Sequence, residues 1–217
     1  MIRYVIWDWN GTLLDDVDSC VDVLNEMLLR RGLQQVSRMH YRERFGFPVR
    51  SFYQGLGFDV SEQAFVDLST EFIASYKQVL VRVGLHAGAL DVMKRLGGVL
   101  DGQLVVSAME HNMLGRMLSD YGVLPHLRAH QGTINMQASS KVQVGVEVVQ
   151  ALRLDPQQVL LVGDTEHDLE LAEALGCHCV LHVGGHQTRE RLQATGCPVV
   201  DDLHSVVQLV ESRCIPG

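Results

Sequence analysis

The stretch Arg3-Tyr4-Val5-Ile6-Trp7-Asp8-Trp9-Asn10-Gly11-Thr12 constrains the fold more than any other part of the chain. β-branched and aromatic residues run up to a carboxylate and are followed at once by Asn-Gly. The spacing predicts a buried strand that carries Asp8 to its C-terminal tip, where the chain turns sharply. Open α/β sheets hold their ligands at that edge. A second apolar run, Gln158 to Gly163, ends at Asp164 in the same way.

Between these two runs the pattern changes twice. Val21, Leu24, Met27 and Leu28 recur at helical spacing from Ser19 to Arg31, and Gly32 stops the run. From Ser37 to about Arg82 the pattern stays helical in short pieces. It breaks at Gly46-Phe47-Pro48 and Gly55-Leu56-Gly57, and a long final piece covers Ser61 through Lys77. Nothing there reads as a buried parallel strand, so residues 15–85 are expected to form a helical cap inserted into an α/β core made of 1–14 and 86–217. An insertion at the C-terminal edge of a strand is positioned to cover whatever binds there.

After residue 85, helical and strand patterns alternate. Helices are expected from Leu85-His86-Ala87-Gly88-Ala89 through Leu96, then over Glu110 to Tyr121, about Ser139 to Leu152, Asp168 to Leu175 and near Thr188 to Ala194. Strands are expected at Gln103 to Ser107, Arg128 to Gln131, Gln158 to Gly163, His178 to His182 and Pro198 to Val200, before a terminal helix. Short turns between alternating elements imply a doubly wound parallel sheet, a Rossmann-like core. Trp7 and Trp9 are read as alternating across the first strand, with one of them in the core.

Charge and cysteine usage narrow the function class. A formal net charge of -8 without a basic run argues against nucleic acid or an anionic membrane as partner. No apolar stretch is long enough to span a bilayer, and the first strand begins at residue 3, so a cytoplasmic location is expected. Cys20, Cys177, Cys179, Cys197 and Cys214 are irregularly spaced and fit reduced thiols better than a disulfide framework. Cys177, His178, Cys179, His182 and His186 invite a zinc reading. Strand alternation puts both cysteines on the face opposite His178 and His182, which is poor geometry for one closed site.

Asp8, Gly11, Thr12 and Leu13, together with Gly163-Asp164-Thr165-Glu166-His167-Asp168, resemble the first and last motifs of the haloacid dehalogenase (HAD) superfamily. Ser107 at a strand end and Lys141 at a helix start, one of only three lysines, occupy the order of the motifs between. The resemblance implies a HAD-like core and hydrolysis of a small phosphorylated metabolite through an aspartyl-phosphate on Asp8. It further implies Mg²⁺ held by Asp8, the carbonyl of Asn10, Asp164 and Asp168, and phosphate contacts from Thr12, Ser107 and Lys141. Gly46-Phe47-Pro48-Val49-Arg50 is similar to the substrate loop of capped members resembling phosphoglycolate phosphatase, which makes Arg50 a candidate reader of a substrate carboxylate.

The chemistry stands without the family. Phosphate monoesters repel anionic nucleophiles, so a carboxylate attacks phosphorus only where a divalent cation and a lysine neutralise the phosphoryl oxygens. Asn10 departs from the motif, which has a second aspartate there as general acid/base. An amide exchanges no proton at neutral pH, and that loss is worth about 10²–10⁴-fold. The expectation is therefore a slow or specialised phosphatase. The alternatives are a non-catalytic module that binds phosphometabolites, or a phosphotransferase or mutase whose phospho-enzyme is protected from water. The carbon–phosphorus-cleaving chemistry of related family members resembles a Schiff-base route that needs a cap lysine, and with only Lys77, late in the last cap helix, that route is not expected. Oligomeric state leaves no signature in the sequence.

Overall fold

The computed structural model describes residues 1–133 and 141–214, and the expected helix start at Ser139 and Ser140 lies outside them. Six strands form one parallel sheet: β1 (Tyr4–Trp7), β2 (Gly102–Glu110), β3 (Ala129–Thr133), β4 (Val159–Gly163), β5 (His178–His182) and β6 (Val199–Val200). Their spatial order is β3-β2-β1-β4-β5-β6. The chain leaves β1 toward one side of the sheet and later returns to build the other, so β1 stands at the topological switch point, where the crevice opens at the strands' C-terminal ends. Trp7 is in register with Val105 on one side and Val162 on the other. The Asp8 amide donates to Val162 O at 2.9 Å, which brings Asp8 beside Gly163.

Helices α1 (Val17–Arg30), α2 (Arg38–Arg44), α3 (Val49–Gly55) and α4 (Glu62–Val79) separate β1 from β2. Among the described residues no named strand falls in that stretch. The sequence explains the pieces: Ser37 caps α2 by accepting the His40 N–H, and Pro48 supplies the extended residue before α3. In the core, α5 (Ala89–Gly97), α6 (His111–Asp120), α7 (Lys141–Ala151), α8 (Glu166–Leu175), α9 (Arg189–Ala194) and α10 (His204–Cys214) alternate with the strands.

Two apolar clusters cover the two faces of the sheet. The larger joins Val5, Trp7, Val105, Leu160 and Val162 to α1, α5 and the buried face of α4. The smaller joins Ile6, Leu104, Val106 and Leu161 to α7 and α8.

Three expectations change. Trp7 and Trp9 are both fully buried. Residues two apart in extended chain share a face, so the alternation rule sends both inward. Trp9 meets Tyr121 edge-to-face at 5.9 Å, and the Trp7 indole donates to Gln103 Oε1 at 3.0 Å. Strand β2 runs past Ser107 to Glu110, because a shift of register after Val106 lets Glu110 pair with Thr133. Helix α8 starts at Glu166 rather than Asp168, because Thr165 and Asp168 close a reciprocal cap over its first turn.

Candidate active site

Asp8, Ser107, Lys141, Asp164 and Asp168 are all buried, and they come from the C-terminal ends of β1, β2 and β4 and the starts of α7 and α8. Lys141 Nζ donates to Asp8 Oδ1 and to Asp168 Oδ1. The other oxygen of Asp168 accepts the Asp164 and Thr165 amides at 3.1 and 3.0 Å and the Thr165 hydroxyl at 2.8 Å. Asp168 therefore has two tasks: it caps its own helix and anchors the lysine. Its side chain folds back over Gly163, where a Cβ would lie 2.2 Å from its carboxyl carbon. Only glycine fits there.

Asp164 is held from two sides. The Thr12 hydroxyl donates to its Oδ1 at 2.8 Å and the His186 amide to its Oδ2 at 2.7 Å. Thr12 thus spends its hydroxyl on Asp164. Gly11 sits at φ +79°, and a Cβ there would lie 2.4 Å from Asp164 Oδ2. The turn seen in the sequence as Asn-Gly is what lets the two strand tips approach. Ser107 is buried at the same edge and accepts the Met109 amide at 3.1 Å.

The electrostatics follow from enclosing three carboxylates with one ammonium. Burial pushes the Asp8 carboxyl well up, and Asp168 and Asp164 push it further while Lys141 opposes them. Burial also raises Asp164, against the pull of His186. Asp168 ends below the usual range because the Lys141 charge and its hydrogen bonds outweigh its own burial. Lys141 is raised: burial disfavours its charge, but Asp168 and Asp8 more than offset that. One carboxylate oxygen from each of Asp8, Asp164 and Asp168 lies within 4.8 Å of the others. These are hard oxygen donors with three carboxyls facing one ammonium, so the set fits a small divalent cation such as Mg²⁺.

Beside this group lies a second one that the sequence reading did not find. Asp16 is fully buried and accepts from the Gly11 amide at 2.8 Å, Asn10 Nδ2 at 2.8 Å, the Tyr76 hydroxyl at 2.5 Å and the Cys20 thiol at 3.5 Å. His186 Nε2 meets Asp16 Oδ1 at 3.2 Å, and its Nδ1 meets the Tyr41 hydroxyl at 2.9 Å. Burial alone would lower His186, but the charge and hydrogen bond of Asp16 carry it up to about 9. Asp16 settles below the usual carboxylate range: its burial is outweighed by His186, Tyr76 and Asn10. The Asn10 amide also meets the Tyr76 hydroxyl at 2.8 Å. The side-chain nitrogen of Asn10 is thus committed to Asp16 and Tyr76. Asp16 directly follows the motif, and that adjacency was the available signal. His186 had been noticed only as a poor zinc ligand.

The expected Cys/His cluster is divided as alternation required. His186 turns to Asp16, while His182 packs against His86, ring centroids 5.1 Å apart, with its Nδ1 buried and unpaired. Arg50 is exposed, lies 4.7 Å over the Phe65 ring, and does not join the buried group in this structure. Arg42 instead ties the helical stretch to the core. Its Nε donates to Gly185 O at 2.7 Å, and one terminal nitrogen donates to Val183 O at 2.5 Å and Gln187 O at 2.8 Å. Arg191 answers from the core side, donating to Phe45 O at 2.6 Å and Glu43 O at 3.2 Å.

With this geometry in hand, residues 5–182 match the family described as haloacid dehalogenase-like hydrolase. The chain belongs to the haloacid dehalogenase-like hydrolases. Among relatives, a phosphoglycolate phosphatase of Pseudomonas putida is 24% identical over 94% of this chain and 78% of its own length. A Mycobacterium tuberculosis protein named tyrosine-protein kinase PtkA is 24% identical over 97% of this chain and 72% of its own. A haloacid dehalogenase-like family hydrolase of Streptococcus pneumoniae superposes with TM-score 0.83 at 16% identity, covering 96% of this chain and 98% of that one. A Haemophilus somnus protein described as a predicted phosphoglycolate phosphatase does so with TM-score 0.77 at 17% identity, covering 96% and 98%. The structural likenesses establish a shared haloacid dehalogenase-like fold. Among the described residues no helix is long and apolar enough to cross a membrane.

Proposed function

We propose that this haloacid dehalogenase-like hydrolase is a Mg²⁺-dependent phosphatase of a small phosphorylated metabolite, with Asp8 as nucleophile and residues 15–85 as its helical cap. The observation that carries the reading is Lys141 bonded to both Asp8 and Asp168 beside Asp164. A buried ammonium shared by two aspartates is costly unless anionic chemistry needs it. Lys141 is already where a phosphoryl oxygen would lie against Asp8. Asp168 keeps it charged and aimed. Ser107 adds a hydroxyl at the same edge, and Thr12 steadies Asp164.

A divalent cation held by Asp8, Asp164 and the Asn10 carbonyl, with Asp168 alongside, supplies charge neutralisation of the phosphoryl oxygens when bound. Asp8 Oδ attacks phosphorus, the ester oxygen leaves with the bonding electrons, and the phosphoryl group rests on Asp8 as an aspartyl-phosphate. Departure of an alkoxide needs a proton, which the Asn10 amide does not supply. Acyl and activated aryl phosphates, whose leaving groups need none, are the substrates least affected. Arg50 serves as a substrate contact only after leaving Phe65.

The committed Asn10 side chain favours a second reading, phosphoryl transfer to an acceptor hydroxyl, because a site without a base at position 10 hydrolyses its aspartyl-phosphate slowly. The 24% identity to a protein named as a kinase is in keeping with this. A screen of small phosphate esters with and without Mg²⁺, coupled to detection of a phosphorylated Asp8, separates the two. Phosphate release that tracks Mg²⁺ supports the phosphatase. A persistent phospho-enzyme discharged only by an added alcohol supports transfer. No phosphate release and no labelled enzyme from any ester would sink both.

A further inference from the structure

Outside the candidate site, Cys179 and Cys197 are brought together at the edge of the sheet. Leu181 pairs with Val199 in the parallel ladder of β5 and β6. Counting back two residues on each chain sets Cys179 beside Cys197. Adjacent strands lie about 4.8 Å apart, inside the roughly 4.4–6.8 Å Cα separation that a disulfide spans. The two thiols are close enough to shift each other's ionisation. Both are half-buried rather than sealed, whereas Cys20 is buried against Asp16. Cys177 shares the face of Cys179, two residues earlier on the chain.

We propose that Cys179 and Cys197 form a redox-active dithiol that hydroperoxides close reversibly to a disulfide. The pair is polarised. The neighbouring Cys179 holds Cys197 below its ordinary range, while Cys197 and burial raise Cys179. Burial pushes the neighbouring Cys177 up to about 11. Cys197 is thus the thiolate-forming partner, and thiolate character with access governs oxidation.

The steps balance with a hydroperoxide as oxidant. The Cys197 thiolate attacks the terminal peroxide oxygen. The O–O bond breaks, the leaving alkoxide or hydroxide takes a proton, and Cys197 becomes a sulfenic acid. The Cys179 sulfur then attacks the sulfenic sulfur. An S–S bond forms, the S–O bond breaks, and the hydroxyl leaves as water with the proton of Cys179. Two thiols lose two electrons, and hydrogen peroxide becomes two waters. Dithiothreitol returns both thiols.

The pair lies toward the N-terminal half of β5, away from Asp8, so Cys197→Ser is expected to leave basal turnover unchanged. The test treats the full chain with stoichiometric hydrogen peroxide and reads intact mass and mapped peptides. The expected result is a loss of about 2 Da, the two thiol hydrogens, in one linked peptide pair joining Cys179 to Cys197. Dithiothreitol should reverse it, Cys177→Ser should retain it, and Cys197→Ser should abolish it. Maleimide labelling of the untreated wild-type chain gives a readout that needs no variant to fold, with Cys197 expected to label before Cys177 and Cys20. The proposal fails if Cys197 gains oxygen without a disulfide, if the bond joins Cys177 or a second molecule, or if the mass does not change.

Discussion

Asn10→Asp is the most informative single change, because the structure reverses what the sequence motif alone would suggest. Restoring a carboxylate should raise alkyl phosphate hydrolysis by up to about 10²–10⁴-fold if position 10 were free. It is not free. The Asn10 amide donates to Asp16 Oδ2 and meets Tyr76, both at 2.8 Å. An aspartate there removes two buried hydrogen-bond donors and sets a carboxylate against a carboxylate. At about 4 Å and an effective dielectric near 20, two like charges repel by about 4 kcal/mol. A shared proton and the nearby His186 relieve part of this, so a net loss of roughly 2–4 kcal/mol is expected at pH 8. Repulsion raises the folded-state pKa of the pair, so the penalty is smallest at low pH and grows as pH rises through that value.

The double variant Asn10→Asp with Asp16→Asn exchanges the two groups. The amide at 16 then donates to the carboxylate at 10, its carbonyl still accepts the Gly11 amide, and the like charges are gone. Urea unfolding should show the single variant destabilised and the double variant partly restored, short of wild type because His186 loses the Asp16 carboxylate that holds its charge. Turnover should rise in the double variant on an alkyl phosphate more than on an activated aryl phosphate, the mark of leaving-group protonation. If Asn10→Asp alone is as stable as wild type and the exchange adds nothing, Asp16 does not fix the residue at position 10.

Three further outcomes are expected. Asp8→Asn should abolish turnover while leaving Tm unchanged or higher, because it removes a carboxylate that burial and its neighbours already disfavour; undiminished phosphate release would exclude covalent catalysis by Asp8. Lys141→Met should eliminate turnover and lower stability by about 3–5 kcal/mol, since Asp8 and Asp168 lose their buried cation, and added Mg²⁺ should recover part of that in a thermal-shift assay. His186 has a folded-state pKa of about 9 against 6.5 for the free side chain. Its contribution, up to about 3 kcal/mol, is therefore complete below pH 6.5 and lost as pH rises through 9. Unfolding measured across that window should slope downward in the wild type and flatten in His186→Asn.

The order of strands and helices was legible because each element carries its own periodicity, and alternation then implies a parallel sheet. Positions 8, 107 and 164 stand out for a related reason, since a polar residue at the end of an apolar run has one place to go, whereas Lys141 and Asp168 are legible only through the motif order that the resemblance implies. Asp16 and His186 were not legible. They lie 170 residues apart, and their contact forms where the loop after β5 returns to the loop after β1, with Tyr41 of α2 on His186 and Tyr76 of α4 on Asp16. Arg50 stands out through the similarity of its stretch to a substrate loop, whereas Arg42 makes the tie to the core. Its acceptors are main-chain carbonyls, which leave no trace in a sequence.

That last property has an evolutionary consequence. Every acceptor that Arg42 uses on residues 183–187 belongs to the polypeptide backbone, so this one tie reads no side chain of the loop, unlike the contact of the His186 ring with Tyr41. Mutational drift, or a designer, can vary Val183 while the latch persists, whereas Gly184 and Gly185 have no room for a side chain beside His182 and Asp164. Arg42 itself has no such latitude, because lysine lacks the planar fork that reaches several carbonyls at once.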